Sequence, residues 1–392
     1  MAVAHVWPEG LAGDGEFLTA GATLEKPDGA RWRLWYRLPA AQRAAVSTGS
    51  DSFVLGVLFR AMETGTDLRV HGAVSPSLLG NLVEFQRAWH CWRPEVYRPV
   101  EISADVEREE TPAAADDALM GFSGGVDSAF TAWSSRPGGS RTRRTRLAAG
   151  MMVHGFDIPL SDPEAFARAA DKSARMLSSV GMELHRVATN FREQGGDWED
   201  AHAAALASCL SLLRGRYRRG VIASCYPYPA LILPYGSNPV TDPMLSSDSF
   251  RIVHDGAETA KVEKVRAIAS WPEARQLLRV CWQGPHGDRN CCRCQKCVWT
   301  MLVFRMVGGG LPECFERDIT DAEIRRLRYP DAGSVNSSSR LVTRARADGV
   351  SASWVAALQL SVVFNRLRLA VKKVAPDSEL GRRVYRFFLP PP

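Results

Sequence analysis

The chain has 392 residues, of which 45% are hydrophobic, and it carries a formal net charge of +6 at pH 7. This composition supports one large domain or two to three moderate ones with real cores. We see no apolar run long enough to span a bilayer and no secretory signal, so we expect no transmembrane segment and a cytoplasmic location. The mild positive charge permits contact with nucleic acid or another anionic partner but does not indicate one.

The first 115 residues predict a separate α+β domain, whose role the sequence does not reveal. Residues 31–38 alternate with period two, which is typical of a half-buried strand. Residues 53–62 and 75–89 carry the apolar spacing of helices. The stretch 107–112 and the alanines after it are typical of a linker, and we find no catalytic constellation before it.

From residue 116 the pattern changes to alternating strands and helices, which predicts an α/β fold with a doubly wound parallel sheet. Ligands of such sheets bind beyond the carboxyl ends of the strands. An arginine-rich segment at 134–146 predicts a solvated loop. The predicted strands cover residues 118–122, 148–154, 184–188 and 221–223, and the predicted helices cover residues 161–181 and 201–213.

The loop Gly121-Phe122-Ser123-Gly124-Gly125-Val126-Asp127-Ser128 connects the first of these strands to a helix. Glycines let a backbone approach phosphate closely, and N–H groups at a helix start attract anions. It is not a Walker loop, which has a Lys-Ser/Thr pair where this chain has Val126 and Asp127. Asp127 fits a role in holding the Mg²⁺ that accompanies a polyphosphate.

Residues 123–128, Ser-Gly-Gly-Val-Asp-Ser, resemble the signature of the PP-loop ATP pyrophosphatases. The resemblance implies an adenine nucleotide alpha-hydrolase-like fold that binds ATP and Mg²⁺ and splits ATP between its α- and β-phosphorus. A substrate oxygen is adenylated, and a nucleophile then displaces AMP. The implied nucleotide-binding residues are Phe122, Ser123, Gly124, Gly125, Val126, Asp127 and Ser128, of which Ser123, Asp127 and Ser128 are the expected catalytic residues.

Three further positions follow from the same resemblance. Val153 and His154 end the second strand, where the adenine typically rests against the backbone. Lys261 opens a Lys-x-Glu helix start, where the lysine faces phosphate and acts as a fourth catalytic residue; an amphipathic surface helix explains the spacing equally well. Asp157 either holds a polar group of the substrate or caps the next turn.

Five of the nine cysteines lie between residues 281 and 297, a metal-type distribution that fits a reducing compartment. Two consecutive C-x-x-C turns let thiolates face one ion, which predicts a closed zinc site, with an iron–sulfur cluster as the alternative. Cys292 could replace Cys291, and His286 could replace the fourth ligand. The expected ligands are Cys281, Cys291, Cys294 and Cys297.

The loop together with a late four-cysteine site resembles the 7-cyano-7-deazaguanine synthase branch of the PP-loop family. That branch activates a 7-deazaguanine carboxylate with ATP and adds ammonia. We therefore expect an ATP-binding domain with its zinc site at residues 116–310, and a helical C-terminal region at 311–392 that contains a polar linker at 334–339. The extra N-terminal domain and the arginine-rich loop depart from the pattern of the branch.

The resemblance implies a small-molecule carboxylate substrate and an ammonia or amine donor, and it permits a homodimer. A nucleic acid or protein acceptor is permitted but not indicated. One alternative is a PP-loop sulfur transferase acting on RNA, which needs a reactive cysteine pair that Cys209 and Cys225 do not form in sequence. Another is a nucleotide-binding component of a multi-protein defence or biosynthetic system.

Overall fold

The computed structural model describes residues 2–140, 146–281, 284, 286–329 and 332–374. The chain divides into two compact units, residues 1–282 and 283–392. The described strands, all in the first unit, are β1 (Val3–Pro8), β2 (Ala12–Gly13), β3 (Phe17–Glu25), β4 (Arg31–Pro39), β5 (Asp67–Val74), β6 (Ile102–Glu107), β7 (Asp117–Gly121), β8 (Arg146–His154), β9 (Glu183–Thr189), β10 (Arg219–Ala223) and β11 (Arg251–Asp255).

The helices alternate with these strands and continue into the second unit. Those of the first unit are α1 (Asp51–Thr64), α2 (Pro76–Trp92), α3 (Val126–Ser135), α4 (Pro163–Ser178), α5 (Trp198–Ser211), α6 (Lys261–Ile268) and α7 (Pro272–Leu277). Those of the second unit are α8 (Gln295–Met306), α9 (Asp321–Arg325), α10 (Ala332–Ala347) and α11 (Ser353–Val374). The chain is thus α/β with a mostly parallel sheet.

The strands form one sheet in the order β11-β10-β7-β8-β9-β4-β3-β1-β5-β6, and β2 pairs with β3. The five strands from β11 to β9 are mutually parallel. β4 joins them antiparallel to β9, with Tyr36 opposite Thr189. β1 and β5 are parallel neighbours at the far end, and β6 completes that edge parallel to β5.

The sheet continues across the domain boundary that the sequence predicts near residue 115. Residues on both sides of that position lie in one compact unit, because β4 extends the parallel sheet and α1 packs against α5. Tyr36, which is fully buried, donates its hydroxyl hydrogen bond to Ser208 in α5 at 3.0 Å. One apolar core cluster contains residues from both halves of the sheet.

Helices cover both faces of the parallel strands. A Cβ added to Gly121 in β7 would lie 2.6 Å from Leu206 in α5. A Cβ added to Gly150 in β8 would lie 2.5 Å from Leu177 in α4. Gly150 pairs with Met120, the neighbour of Gly121, so the two glycines face opposite sides of the sheet. The helices therefore approach closely because these positions have no side chain.

The strand order reverses between β7 and β10. β7 is followed along the chain by β8 and β9 on one side, whereas β10 and β11 lie on its other side. Connections therefore leave the carboxyl ends of β7 and β10 in opposite directions, which opens a crevice between them. In open α/β sheets this crevice is where ligands bind.

In the second unit, α10 and α11 pack against each other, and α9 packs against α11. Tyr329 lies in their small core with Val335 and Val362. The expected linker at 334–339 is wrong, because this segment lies inside α10. Ser338 is 2% exposed, so tertiary packing overrides the poor helix propensity of the serine run.

One described helix, α11, is long and apolar enough over Ser353–Val371 to pass a test for membrane spans, with 39% of that window buried. Length and composition are weak evidence, since core helices of water-soluble proteins pass the same test. Residues 141–145 of the arginine-rich loop and residues 375–392 of the C-terminal region lie outside the described part of the chain.

Candidate functional site

The predicted anion-binding loop occupies the crevice at the strand-order reversal. It leaves β7 at Phe122, whose N–H donates to the Met151 carbonyl of β8 at 2.8 Å, and it enters α3 at Val126. Gly124 has a φ of +75°, a conformation that glycine adopts without strain. The first N–H groups of α3 have no carbonyl one turn earlier, so they are available to an anion.

Arg279 holds this loop from the other side. Its backbone N–H donates to the Gly124 carbonyl at 2.9 Å, and its Nε donates to the Ser123 carbonyl at 3.3 Å. Its guanidinium also lies 3.2 Å from the Asp157 carboxylate. Asp157, predicted as a substrate or turn residue, therefore forms an ion pair that links the end of β8 to the loop.

The strongest electrostatic feature of the site is a carboxylate held by two ammonium groups. Asp127, in the first turn of α3, lies 3.0 Å from Nζ of Lys261 and 3.1 Å from Nζ of Lys264. Lys264 Nζ also donates to the Ser224 carbonyl, just beyond the end of β10, at 2.5 Å. Both lysines lie on α6, which packs against α3. The cluster thus joins the carboxyl ends of β7 and β10.

The two lysines differ in their access to solvent. The side chain of Lys264 is 1% exposed, whereas that of Lys261 is 38% exposed. Burial opposes ionisation of Asp127, but the charges of Lys261 and Lys264 outweigh it and lower the pKa of the carboxyl group. Lys264 is therefore buried against the carboxylate, whereas part of the Lys261 side chain reaches solvent.

Lys261 therefore lies beside the loop, where the sequence placed it, whereas Lys264 and Arg279 were missed. Lys264 follows Lys261 by three residues, so its position on the same helix face was a usable signal. No sequence pattern pointed to Arg279. The expected contact of Asp127 with Mg²⁺ stays a prediction; in the structure each oxygen of this carboxylate contacts one ammonium group.

Val153 and His154, which were predicted to lie near the adenine, are the last two residues of β8 and lie beside this crevice. Val153 is 9% exposed and His154 is 7% exposed. The imidazole of His154 stacks on Phe166 of α4 with ring centroids 4.5 Å apart, and its Nε2 lies 2.8 Å from the Pro159 carbonyl. Its side chain is therefore used in packing, which leaves its backbone as the part that could contact a base.

Two cysteines bear on the sulfur-transfer alternative. Cys209 in α5 is fully buried, and burial raises the pKa of its thiol. Cys225 follows β10 and interacts with Tyr235, whose pKa is raised first by that thiol and then by its own burial. Cys209 is thus inert, so these two thiols do not act as a reactive pair.

Four cysteines form the second candidate site. Sulfur atoms of Cys281, Cys291, Cys294 and Cys297 all lie within 4.8 Å of one another, and Cys291 and Cys297 are 3.9 Å apart. Ligands at about 2.3 Å from a tetrahedral Zn²⁺ lie roughly 3.8 Å apart. The four thiols therefore fit a tetrahedral metal, and this is the ligand set that the spacing predicted.

The structure also separates Cys291 from Cys292. Cys292 has a φ of +59°, and its thiol points to the Asn290 carbonyl at 3.6 Å rather than into the cluster. The Cys294 N–H donates to the Cys291 sulfur at 3.3 Å, a bond that stabilises a thiolate. Cys291 is therefore the candidate ligand. His286 does not belong to the cluster that the described residues form.

Comparisons with known proteins add no family assignment. No family model, no curated protein and no solved structure matches the chain. The functional argument therefore depends on the loop, the charges around it and the cysteine cluster.

Proposed function

We propose that this protein is an ATP-dependent, AMP-forming enzyme that activates a carboxylate or similar oxygen for attack by ammonia or an amine. The observation that carries the proposal is the position of the Ser-Gly-Gly-Val-Asp-Ser loop. It lies where the order of the parallel strands reverses, and the carboxylate on its helix α3 contacts two lysines of the neighbouring helix α6. Sheet topology and loop sequence thus support one nucleotide site independently of each other.

Each part of this site has a function in the proposed reaction. The loop and the N-terminus of α3 bind the β- and γ-phosphates through N–H groups. In this proposal Lys261, which contacts Asp127 beside the loop, stabilises negative charge on the departing pyrophosphate, and Lys264 keeps α6 and Asp127 in place. Bound ATP supplies the electrophilic α-phosphorus. No side-chain nucleophile is required, because orientation and charge stabilisation account for the chemistry.

We also propose that the four-cysteine cluster binds Zn²⁺ and is structural. All four positions around the ion are occupied by thiolates, so no position remains for water or substrate. Such a closed site stabilises the segment that holds it but does not polarise a substrate. Metal removal should therefore lower the free energy of unfolding and should have a smaller effect on the nucleotide site.

The test is the identity of the nucleotide product. Purified protein is incubated with Mg-ATP, 7-carboxy-7-deazaguanine and ammonium, and nucleotides are separated by chromatography. AMP, pyrophosphate and a 7-deazaguanine amide or nitrile would support the full proposal, including the substrate of the branch. AMP without modification of the base would show cleavage at the α-phosphorus without activation of this carboxylate, and it would reject this substrate. ADP as the product would contradict the proposal.

A matched pair of variants links the product to the site. Lys261→Ala removes the exposed ammonium beside the loop, and we expect AMP formation to fall about 100-fold or more. Lys26→Ala removes an exposed lysine just after β3 and serves as the control, with unchanged AMP formation expected. Equal rates in the two variants would show that Lys261 does not act on the phosphates.

A further inference from the structure

α11 presents an apolar stripe to solvent in the second unit. Leu360, Val363 and Leu367 are 58%, 46% and 57% exposed, and the smaller Ala356 and Ala370 are also exposed. These five residues follow one another at spacings of four, three, four and three, so they form one continuous line along the helix. The helix is buried elsewhere, through Trp354, Val355, Ala357, Leu358 and Val362.

Helices α10 and α11, with the turn between them, contain the excess positive charge of the chain. Residues 332–374 include seven Lys or Arg residues and one acidic residue, Asp348. Their formal charge of +6 equals that of the entire chain, so the remaining residues are neutral in sum. α11 has no acidic residue, and its four basic residues all lie in its C-terminal half.

An arginine groove borders the apolar stripe. Arg340 and Arg344 of α10 and Arg366 of α11 line a groove of about 500 Å³ between the two helices. Arg366 is exposed, one residue before Leu367, and donates to the Ser339 hydroxyl at 2.9 Å. Arg344 pairs with Asp348. The surface therefore has basic groups beside apolar side chains.

Of the partners that this surface could bind, a lipid surface uses both of its features. A second copy of α11 would cover the stripe, but it would add positive charge to positive charge. Nucleic acid would match the charge, but it would leave the stripe exposed. We propose that α10 and α11 dock this protein on membranes containing anionic phospholipids. The stripe enters the headgroup boundary, and the arginine groove binds lipid phosphates.

The test is sedimentation of the 392-residue chain with vesicles at low and high salt. We expect binding to vesicles of phosphatidylcholine with phosphatidylserine, at least tenfold weaker binding to phosphatidylcholine alone, and weaker binding in high salt. Leu360→Glu with Leu367→Glu should reduce binding at least tenfold. Arg340→Ala with Arg366→Ala removes two basic groups near an anionic surface and should weaken binding about 30-fold.

Val83→Glu is the matched control, because Val83 is an exposed apolar residue on helix α2, at 47%. It should leave vesicle binding unchanged, and circular dichroism should show that every variant is folded. Dimerisation lost in the leucine variant, or tight binding of single-stranded RNA without vesicle binding, would overturn the proposal. So would binding by a chain truncated after Val374 but not by the full chain, which would show that residues 375–392 cover the stripe.

Discussion

The buried ion pair between Asp127 and Lys264 should make the carboxylate essential for stability as well as for activity. Asp127→Ala leaves the ammonium of Lys264, which is 1% exposed, with the Ser224 carbonyl and the ring of Phe130, whose centroid is 5.9 Å away, but without the carboxylate. Removing one partner of a buried pair typically costs about 3–5 kcal/mol. Because the Asp127 side chain is 17% exposed, we expect about 3 kcal/mol from this pair. Lys261→Ala should cost about 1 kcal/mol or less, since that lysine is 38% exposed.

A double-mutant cycle separates this pair from a general loss of packing. In Asp127→Ala with Lys264→Met, no buried charge is left unpaired, so the double variant should be more stable than Asp127→Ala alone. Unfolding by urea, followed by tryptophan fluorescence, gives the free energies. We expect a coupling energy of about 2 kcal/mol or more. Additive effects, or an Asp127→Ala variant within 1 kcal/mol of the parent, would refute the assignment of Asp127 and Lys264 as a buried pair.

Three further predictions concern the metal cluster, the core and pH. Cys294→Ser should lose bound zinc, measured by elemental analysis, whereas Cys292→Ser should retain it because its thiol points away from the cluster. Arg214→Met should lower the free energy of unfolding by about 3–5 kcal/mol, since it removes the cation that pairs with the buried Asp51 and the partly buried Glu110. Arg216→Met, at an exposed ion pair, should cost about 1 kcal/mol or less. Burial lowers the pKa of His154 below its ordinary value of 6.5. As the pH falls, the imidazole is therefore protonated in the unfolded state at a higher pH than in the folded state. The free energy of unfolding should accordingly decrease below about pH 6.5. The change of the free energy of unfolding with pH is measured by urea unfolding at several pH values and should be smaller in His154→Phe. An unchanged pH dependence in this variant would show that another group causes it.

The elements around the site were predictable because their patterns are local. The apolar runs at 118–122, 148–154, 184–188 and 221–223 became β7 to β10. The glycine and serine loop lies between a strand and a helix, as expected, because Gly124 adopts the positive φ of this turn without strain. The cysteine spacing predicted the metal cluster because adjacent C-x-x-C turns place thiols on one side of a short segment.

The rest depended on contacts that spacing does not encode. Pairing of β4 with β9 connects residues about 150 positions apart, so no local pattern predicted that the N-terminal strands extend the sheet. Arg279 reaches the loop from 156 residues downstream. The choice between Cys291 and Cys292 depended on one backbone angle, the positive φ of Cys292, which a sequence does not show.

The most direct test of the central claim follows an oxygen atom from substrate to product. 7-Carboxy-7-deazaguanine labelled with ¹⁸O in its carboxylate is incubated with the protein, Mg-ATP and ammonium, and AMP is analysed by mass spectrometry. If a carboxylate is adenylated and ammonia then displaces AMP, one heavy oxygen is transferred to AMP. Unlabelled AMP would show that water attacks the nucleotide, and ADP without AMP would show cleavage at the γ-phosphorus. Either result would contradict carboxylate activation.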